Sequence, residues 1–526
     1  MVKDLREKER ESSGNKGGGE KFFVSLIWNC AVELKFLLVA LLLICSLATL
    51  LQFLPAHLSL SASSVRLCLS ATPTTRVSAA TPTTRVSAAT PTTRVSAATS
   101  TATSTNISSQ PTPSVKVDQL QGNGVLKRAF NPYGVAAYNF VLMSAYRGGA
   151  NTFAVMGLAS KPLHIFGRPT YKCDYESPHS IANATTSGVK ILPDWGYGRV
   201  YTVVVINCSF PYPVGTDGSG GRLILQAATN GAGDRDFNLT DTIEALIEPP
   251  GSVNLLHFIS PPKYEYLYCG SSLYGNLSPQ RVREWMAYHV RLFGKRSHFV
   301  IHDAGGIQPE VMEVLRPWME LGYVSLHDIR EQERFDGYYH NQFLIVNDCL
   351  HRYRFMARWI FFFDVDEFIY VPGKSSLRSV MDSLKDFSQF TIEQMPMSSK
   401  LCLSEDAGKT SKKWGFEKLV YRDVKKGIRR DRKYAVQPRH VFATGVHMSQ
   451  NLQGKTTHRT ERRIKYFHYH GTIAERRDPC RRLINDTQTT VDGIPYVRDT
   501  TMRSVAPFVK RFELKTIGHR LRSTRQ

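Results

Sequence analysis

Apolar and polar positions succeed one another along this chain in five distinct patterns, and each predicts a different kind of segment. Residues 1–35 carry charged residues throughout, densest before Lys21. Phe36 to Leu54 then supply an uncharged apolar run closed by Pro55, about 28 Å long as a helix and sufficient to cross a bilayer. Lys21 and Lys35 precede the run, whereas the next basic residue after it is Arg66, so the tail is expected to stay in the cytosol. A cleaved leader would have a shorter apolar core and a shorter charged lead-in, so a signal anchor is expected over 36–54. Residues 55–117 are rich in Ser, Thr, Ala and Pro, and a nine-residue unit recurs from Ala71, Ala80 and Ala89. That period is too short for a solenoid and carries no apolar face to bury, which predicts an extended stem, either O-glycosylated or a bare linker.

From 118 to 258 the pattern becomes one of short β-type runs, among them Asn139–Met143, Thr152–Met156, Val200–Ile206 and Arg222–Gln226, punctuated by Gly, Pro and Asn. Such spacing predicts a β-sandwich. Trp195, Tyr197, Tyr201 and Tyr212 either offer flat faces for sugar stacking or fill the core of this module. From 259 to 526 the grammar is strand, helix, strand. Tyr264–Cys269, His298–His302 and Tyr323–Leu326 read as strands; helices start at Ser278-Pro279 and at Pro309; Asn341–Met356 places Phe343, Val346, Leu350 and Tyr353 on one helical face. Alternation of this kind implies an α/β domain around a parallel sheet, of a nucleotide-binding type.

The run Trp359-Ile-Phe-Phe-Phe-Asp-Val-Asp-Glu-Phe368 has the clearest chemistry. Its apolar half reads as a buried parallel strand, and ligands bind at the carboxyl ends of such strands. Strand alternation would aim Asp364 and Asp366 at one divalent cation and turn Glu367 away. A donor activated by a nucleoside diphosphate needs its phosphates neutralised in this way, which suits a nucleotide-sugar transferase. The Asp-x-Asp spacing alone is weak: Asp234-Arg235-Asp236 repeats it in a Gly-rich polar stretch with no buried strand before it, and is set aside. In Lys465-Tyr-Phe-His-Tyr-His-Gly471, alternation again puts His468 and His470 on one face, where one of them either completes a metal shell or bonds a phosphate or carboxylate. His298, His302, His440 and His447 read as structural or acceptor-site residues. Between the clusters lies a basic run, Lys412, Lys413, Lys418, Arg422, Lys425, Lys426, Arg429, Arg430, Arg432 and Lys433, which is a solvated face, a guide for a polyanionic acceptor or a diphosphate contact.

The formal net charge of +22 points to an anionic partner without choosing it. Sequons at Asn106, Asn183, Asn207, Asn238, Asn276 and Asn485 all follow the apolar run, as a lumenal body requires. Cys68, Cys173, Cys208, Cys269, Cys349, Cys402 and Cys480 would then meet an oxidising compartment and form disulfides whose pairing the sequence does not reveal; Cys349, within a helix, also reads as plain core. No Cys-x-x-Cys pair suggests zinc.

Leu267-Tyr-Cys-Gly-Ser-Ser-Leu-Tyr-Gly275, Arg283-Glu-Trp-Met-Ala-Tyr-His289, His298-Phe-Val-Ile-His-Asp-Ala-Gly-Gly306 and the two acidic and histidine motifs together resemble glycosyltransferase family 92, in its branch that builds plant pectic galactan. The resemblance runs from about Asp118 to the C-terminus. It implies a GT-A (Rossmann-like) catalytic domain, preceded by a carbohydrate-binding-like module, using UDP-galactose and Mn²⁺ to extend β-1,4-galactan side chains of rhamnogalacturonan I in the Golgi with inversion. Asp364 and Asp366 would take the metal and donor role and His468 or His470 a late metal-ligand role. Cys269, Ser271, Ser272, Tyr274 and Asp303 would lie near the nucleotide. The repeated stem has no counterpart in the family pattern. Inversion requires a general base. Glu417, next to Trp414, is the candidate, with Glu405 and Asp406 as alternatives and a salt bridge to Lys418 or Arg422 as the structural reading. The expected partners are a UDP-sugar, a galactan acceptor and a membrane, with no nucleic acid and a homodimer left open. The competing functions are a non-catalytic lumenal polysaccharide scaffold, the same fold serving another UDP-sugar, and a basic metal-dependent nuclease, which an anchor and lumenal sequons disfavour.

Overall fold

The computed structural model describes residues 115–523 apart from 135–138, 162–168, 179–183, 194–199, 229–239, 336–337, 374, 425–431, 461, 475 and 488. The expected anchor, the stem and its repeat, Cys68, Trp195, Tyr197, Asp234, Asp236, four of the basic-run residues and the sequons at Asn106, Asn183 and Asn238 lie outside the described residues. Among the described residues no helix is long and apolar enough to cross a membrane.

Two sheets organise this part of the chain. Strands β1 (Gln119–Leu120) and β2 (Leu126–Lys127) come first, then β3 (Asn131–Tyr133), β4 (Phe140–Arg147), β5 (Thr152–Ser160), β6 (Thr170–Glu176), β7 (Ala184–Ile191), β8 (Tyr201–Ser209), β9 (Gly221–Ala228) and β10 (Thr240–Glu248). β3 to β10 form one continuous antiparallel sheet in the order β10-β9-β6-β7-β8-β5-β4-β3, curled so that β10 reaches β4. The layers of the expected sandwich are thus joined by unbroken hydrogen bonding. Alternation fills the inside of the curl with Phe153, Tyr171, Val204, Leu223 and Leu225, and a Cys173–Cys208 disulfide ties β6 to β8. The module begins later than the break drawn at 118, because β1 and β2 belong to the second sheet.

That second sheet is the one the β/α alternation predicted. Its elements are β11 (Tyr264–Leu273), helix α1 (Pro279–Phe293), β12 (Ser297–Asp303), α2 (Pro309–Glu320), β13 (Val324–Asp328), α3 (Gln342–Arg352) and β14 (Ala357–Phe362). After them come β15 (Glu367–Tyr370), β16 (Gln389–Pro396), the short helix α4 (Gly415–Lys418), β17 (Lys433–Val436), β18 (Lys465–His468) and the C-terminal α5 (Thr501–Ser523). Sheet order is β1-β2-β13-β12-β11-β14-β17-β16-β18-β15, parallel from β2 through β14 and antiparallel where β17 meets β14 and β16. The strands β11 to β14 therefore lie in spatial order third, second, first, fourth, which reverses direction between β11 and β14 and opens a crevice at their carboxyl ends.

Both faces are covered. One carries Tyr268, Phe299, Trp359, Phe361 and Phe363 against α1, α2 and α5; Ser278 caps α1, accepting a hydrogen bond from Arg281 N, with Pro279 in the first turn. The other carries Leu267, Ile360 and Phe362 against α3, and beyond α3 lies the outer face of the module, Val141, Met143, Ala154, Val203 and Val205. The helix predicted to be amphipathic is buried on every side from Gln342 to His351, because a second sheet replaces the solvent. Its polar residues are paired. Asp348 takes both guanidinium nitrogens of Arg128 at 2.5 and 2.8 Å and hydrogen bonds from Ser144 Oγ and Tyr146 OH at 2.7 and 2.8 Å. Cys349 is not merely core. It is disulfide-bonded to Cys269 of β11. A third disulfide joins Cys402 to Cys480.

Arg128→Met strands a buried carboxylate and is expected to lower unfolding free energy by about 3–5 kcal/mol, with Arg128→Met/Asp348→Leu recovering much of the loss, as chemical denaturation would measure. Burial holds the imidazoles of His289, His302 and His351 down to about 3 and that of His298 to about 4, and lowers His327 as well. Unfolding lets each take up a proton below its ordinary value near 6.5, so stability is fully present above that pH and is lost as pH falls toward 4. A melting temperature that stays flat between pH 6.5 and 4.5 would refute this; each such imidazole adds a slope of about 1.4 kcal/mol per pH unit.

Candidate active site

The crevice is built by side chains from the strand ends, from α3 and from the turn that follows β14. β14 ends at Phe362, and Phe363 to Asp366 turn, with Glu367 N–H bonding back to Asp364 O at 3.2 Å. The strand alternation expected for Asp364, Asp366 and Glu367 therefore fails here. Glu367 does not point away: its Oε2 accepts the Asp364 N–H at 2.7 Å. Asp364 is engaged on both carboxylate oxygens: its Oδ1 accepts from Ser271 Oγ at 3.0 Å and Gln342 Nε2 at 3.3 Å, and its Oδ2 from Lys433 Nζ at 2.7 Å.

Ser271 reaches Asp364 because β11 carries a bulge between Cys269 and Ser272. Gly270 sits in the bulge with the Tyr268 ring where a Cβ would go. The same bulge sends Ser272 Oγ to His340 O at 2.8 Å. Cys269 is fully buried and its sulfur is spent in the disulfide, so the segment faces the crevice through Ser271, Ser272 and the exposed Tyr274. Asp303 ends β12 at the same rim, with Oδ1 accepting Gly305 N and Ile307 N at 2.8 and 3.1 Å.

Asp366 meets the histidines. Its Oδ2 accepts Gly471 N–H at 2.9 Å, its Oδ1 lies 3.5 Å from His468 Nε2, and ligand atoms of Asp366, His468 and His470 all fall within 4.8 Å of one another. His468 is the last residue of β18 and His470 lies in the turn after it, so a turn rather than alternation brings them together. Gln394 holds the His468 ring by Nδ1, leaving Nε2 toward Asp366. A carboxylate and two imidazoles, with His470 exposed to solvent, form a donor set able to hold a divalent cation. A second convergence, His302, His327 and Asp348, is closed off, and Asp348 is already committed to Arg128, Ser144 and Tyr146.

The charges around the turn are interdependent. Burial opposes ionisation of Asp364, yet the Lys433 ammonium and the Ser271 hydroxyl hold its carboxyl below the usual range. Burial pushes Glu367 up to about 8. Burial would discharge Lys433, but Asp364 and Glu367 raise it. Burial also works against His468, and Asp366 and Glu367 outweigh it, raising the imidazole. Behind the turn α1 holds β15: Trp285 Nε1 donates to Glu367 O at 2.9 Å, Tyr288 OH to Ile369 O at 2.7 Å, and His289 Nε2 accepts Ile369 N–H at 3.2 Å. His289 Nδ1 bonds Trp285 O at 2.9 Å, which fixes the tautomer.

Several expected residues stand elsewhere. Glu417 accepts Trp414 N–H at 3.1 Å as part of a helix cap and is ion-paired with Lys510 of α5, so its carboxylate is structural; the partner is neither Lys418 nor Arg422. Trp414 is buried in the core rather than offered to a sugar. Asp406 is locked between Lys413 and Arg503, and Glu405 is an exposed partner of Arg503 and Arg498. Tyr201 fills the core against Phe335, and Tyr212 is exposed. His298 is structural, bonded to Gly322 O and Ser325 Oγ, and His302 is fully buried; His440 and His447 are exposed. Of the basic run, Lys433 reaches the carboxylates, while Lys418 is buried against Asp478. Lys433 was placed only within the basic run, as one of its possible diphosphate contacts, and Gln342 was not identified at all. A lysine opening the buried run Lys433-Tyr-Ala-Val436 was the available signal; nothing local marked Gln342.

The sequence profile of glycosyltransferase family 92 matches residues 264–511, which contain every element of the crevice. Over 99% of its length the chain is 58% identical to galactan beta-1,4-galactosyltransferase GALS3 of Arabidopsis thaliana, covering 99% of that protein. It is 58% identical to GALS2 of the same plant over 96% of this chain and 98% of the relative. A beta-1,4-galactosyltransferase of Caenorhabditis elegans, galt-1, is 26% identical over 40% of the chain and 50% of its own length. The crevice thus lies inside the matched region of a chain related to plant transferases from end to end, and the chain belongs to glycosyltransferase family 92.

Proposed function

We propose that the chain is a metal-dependent, inverting galactan β-1,4-galactosyltransferase that moves galactose from UDP-galactose onto β-1,4-galactan side chains of pectic rhamnogalacturonan I. The carrying observation is the convergence of Asp366, His468 and His470 beside Asp364 at the switch point of the sheet, in a chain whose near full-length relatives bear that name. A GT-A reading of the fold agrees with the strand order and with the site at the carboxyl ends.

Asp366, His468 and His470 would hold a divalent cation, manganese in the present reading, which when bound supplies positive charge against the departing diphosphate. Asp364, kept anionic by Lys433, accepts a hydroxyl of the donor. Ser271 and Gln342 fix the direction in which that carboxylate points. The acceptor oxygen attacks the anomeric carbon as the bond from that carbon to the diphosphate oxygen breaks, so UDP leaves with the bonding pair and configuration inverts. The acceptor proton passes to a general base; Glu417, whose Oε2 caps α4 through Trp414 N–H and is ion-paired with Lys510, is read as structural rather than as that base. A type II protein of the Golgi membrane with a lumenal catalytic domain fits the apolar run 36–54, the sequons after it and the three disulfides among the described residues. The charge of +22 suits an acceptor carried on an acidic pectin backbone.

Incubating the purified chain with Mn²⁺, a panel of UDP-sugars and short β-1,4-galactan, followed by mass spectrometry, should give hexose addition from UDP-galactose. Asp366→Asn should reduce the rate about 100-fold or more with little change in melting temperature, consistent with losing several kcal/mol of charge stabilisation. Full activity in Asp366→Asn, or in chelator-treated wild type, would remove the metal site; sugar binding without UDP release would favour the scaffold reading.

A further inference from the structure

Helix α5 pairs its half-buried bases and leaves its exposed ones alone. Arg503 is ion-paired with Asp406 and Lys510 with Glu417, while Arg520 stands 3.6 Å from Glu320. Arg511 and Lys515 are exposed on the same helix, as is Arg291 in the last turn of α1, and among the described residues no carboxylate pairs with any of the three. Between these charges lies an aromatic ring. Phe508 is 53% exposed, and the guanidinium carbons of Arg291 and Arg511 each lie 5.9 Å from its centroid, so they flank the ring without covering it. Leu514, 62% exposed, continues the apolar strip. Positions 508, 511, 514 and 515 are spaced by three and four residues, which puts them on one face. Singly exposed apolar residues are ordinary, but an apolar strip rimmed by unpaired cations has the make-up of an interaction surface.

The charge selects the partner. A second copy of this chain docking across a twofold axis would set guanidinium against guanidinium. An anionic ligand is matched, and the ring between the two guanidinium groups asks that it carry a flat apolar face as well. A uronic acid unit has both, a carboxylate for the arginine fork and a pyranose face of C–H groups for the phenyl ring. We propose that the strip formed by Arg291, Phe508, Arg511, Leu514 and Lys515 docks an acidic polysaccharide through its uronate units. This deepens the reading of the acceptor as a galactan side chain on an acidic backbone, and rests on it. Helix α1 starts beside the crevice, where Ser278 N–H donates to Ile473 O at 2.7 Å, three residues after His470. Arg291 lies thirteen residues further along, about 20 Å away at 1.5 Å per residue. The backbone is thus held at one end of the helix while a side chain of several sugars reaches the other.

The test is equilibrium titration of the full-length chain in detergent with oligogalacturonate, with neutral β-1,4-galactan oligosaccharide and with phosphatidylserine vesicles. Losing one charge-assisted hydrogen bond typically costs about tenfold in affinity. Arg511→Gln should weaken oligogalacturonate about tenfold and Phe508→Ala about fivefold. Lys455→Gln, which removes one exposed charge from the loop that bonds Ser388, should change it less than about twofold, and all three variants should transfer to short neutral galactan at the wild-type rate. Phe508→Ala without effect, or Lys455→Gln weakening as much as Arg511→Gln, would reduce the contact to general positive charge and overturn the docking strip. So would Phe508-dependent binding of the vesicles in place of oligogalacturonate, or a mass halved by Phe508→Ala in light scattering. Each of these results leaves the transferase reading intact. Oligogalacturonate bound as expected by a chain that transfers no galactose keeps the docking strip and overturns that reading instead.

Discussion

The ion pair between Asp364 and Lys433 is the constraint on which the crevice depends. Lys433 is buried and Asp364 half-buried; burial would discharge the lysine left alone there, and the carboxylate preserves that charge while the ammonium holds the carboxyl low. The pair is therefore less a source of stability than a condition on the packing, since removing Asp364 strands the lysine's charge in the interior. Asp364 follows β14 and Lys433 opens β17, so the antiparallel contact of these strands is set at the point where chemistry is needed. Glu367, pushed up to about 8 by burial, adds no further full negative charge near neutral pH. Asp366 is then the carboxylate that faces the histidines.

The other two partners of Asp364 come from β11 and α3, and the disulfide coordinates them. Cys349 and Gln342 lie seven residues apart, about two helical turns, and so share one face of α3. Cys269 and Ser271 flank the bulge in β11. A bond from Cys269 to Cys349 thereby fixes the rotational phase of α3 against β11, and with it the approach of Gln342 and Ser271 to the same carboxylate oxygen. Asp348, next along the helix, sets the opposite side through Arg128, Ser144 and Tyr146. Buried polar contacts of this type select one register among several that apolar packing alone would tolerate.

Strand and helix periodicity made the order of elements from Tyr264 to Phe362 legible, with boundaries shifted by a few residues, because those signals are local. The motif residues were legible as a group for the same reason. What the sequence concealed is what packing decides. Alternation was extended past Phe362 into Asp364–Glu367, where the chain turns, so the partners of both aspartates were misread. Glu417 beside Trp414 read as a base because nothing nearby shows that α5, whose Lys510 lies 93 residues downstream, ion-pairs with it. The one-sided helix expected over Asn341–Met356 is wholly buried because the β-rich module, folded from far upstream, covers its second side.

That cover changes what the module is. Its outer face closes the core around α3, and the polar Asp348 of α3 finds its partners Ser144, Tyr146 and Arg128 upstream of the β/α unit. A catalytic half cut at residue 259 would leave that carboxylate and a row of apolar side chains exposed, so the module is part of the catalytic core's wall. It follows that this face is not available for ligands. The faces of β6, β7, β9 and β10 turned away from the module's own core are lined by Lys172, Asp174, Glu176, Thr185, Arg222 and Gln226 along an open groove of about 530 Å³. These are paired charges and amides, Lys172 with Asp174 and Arg222 with Glu176. A sugar held there would be read by hydrogen bonds rather than by stacking.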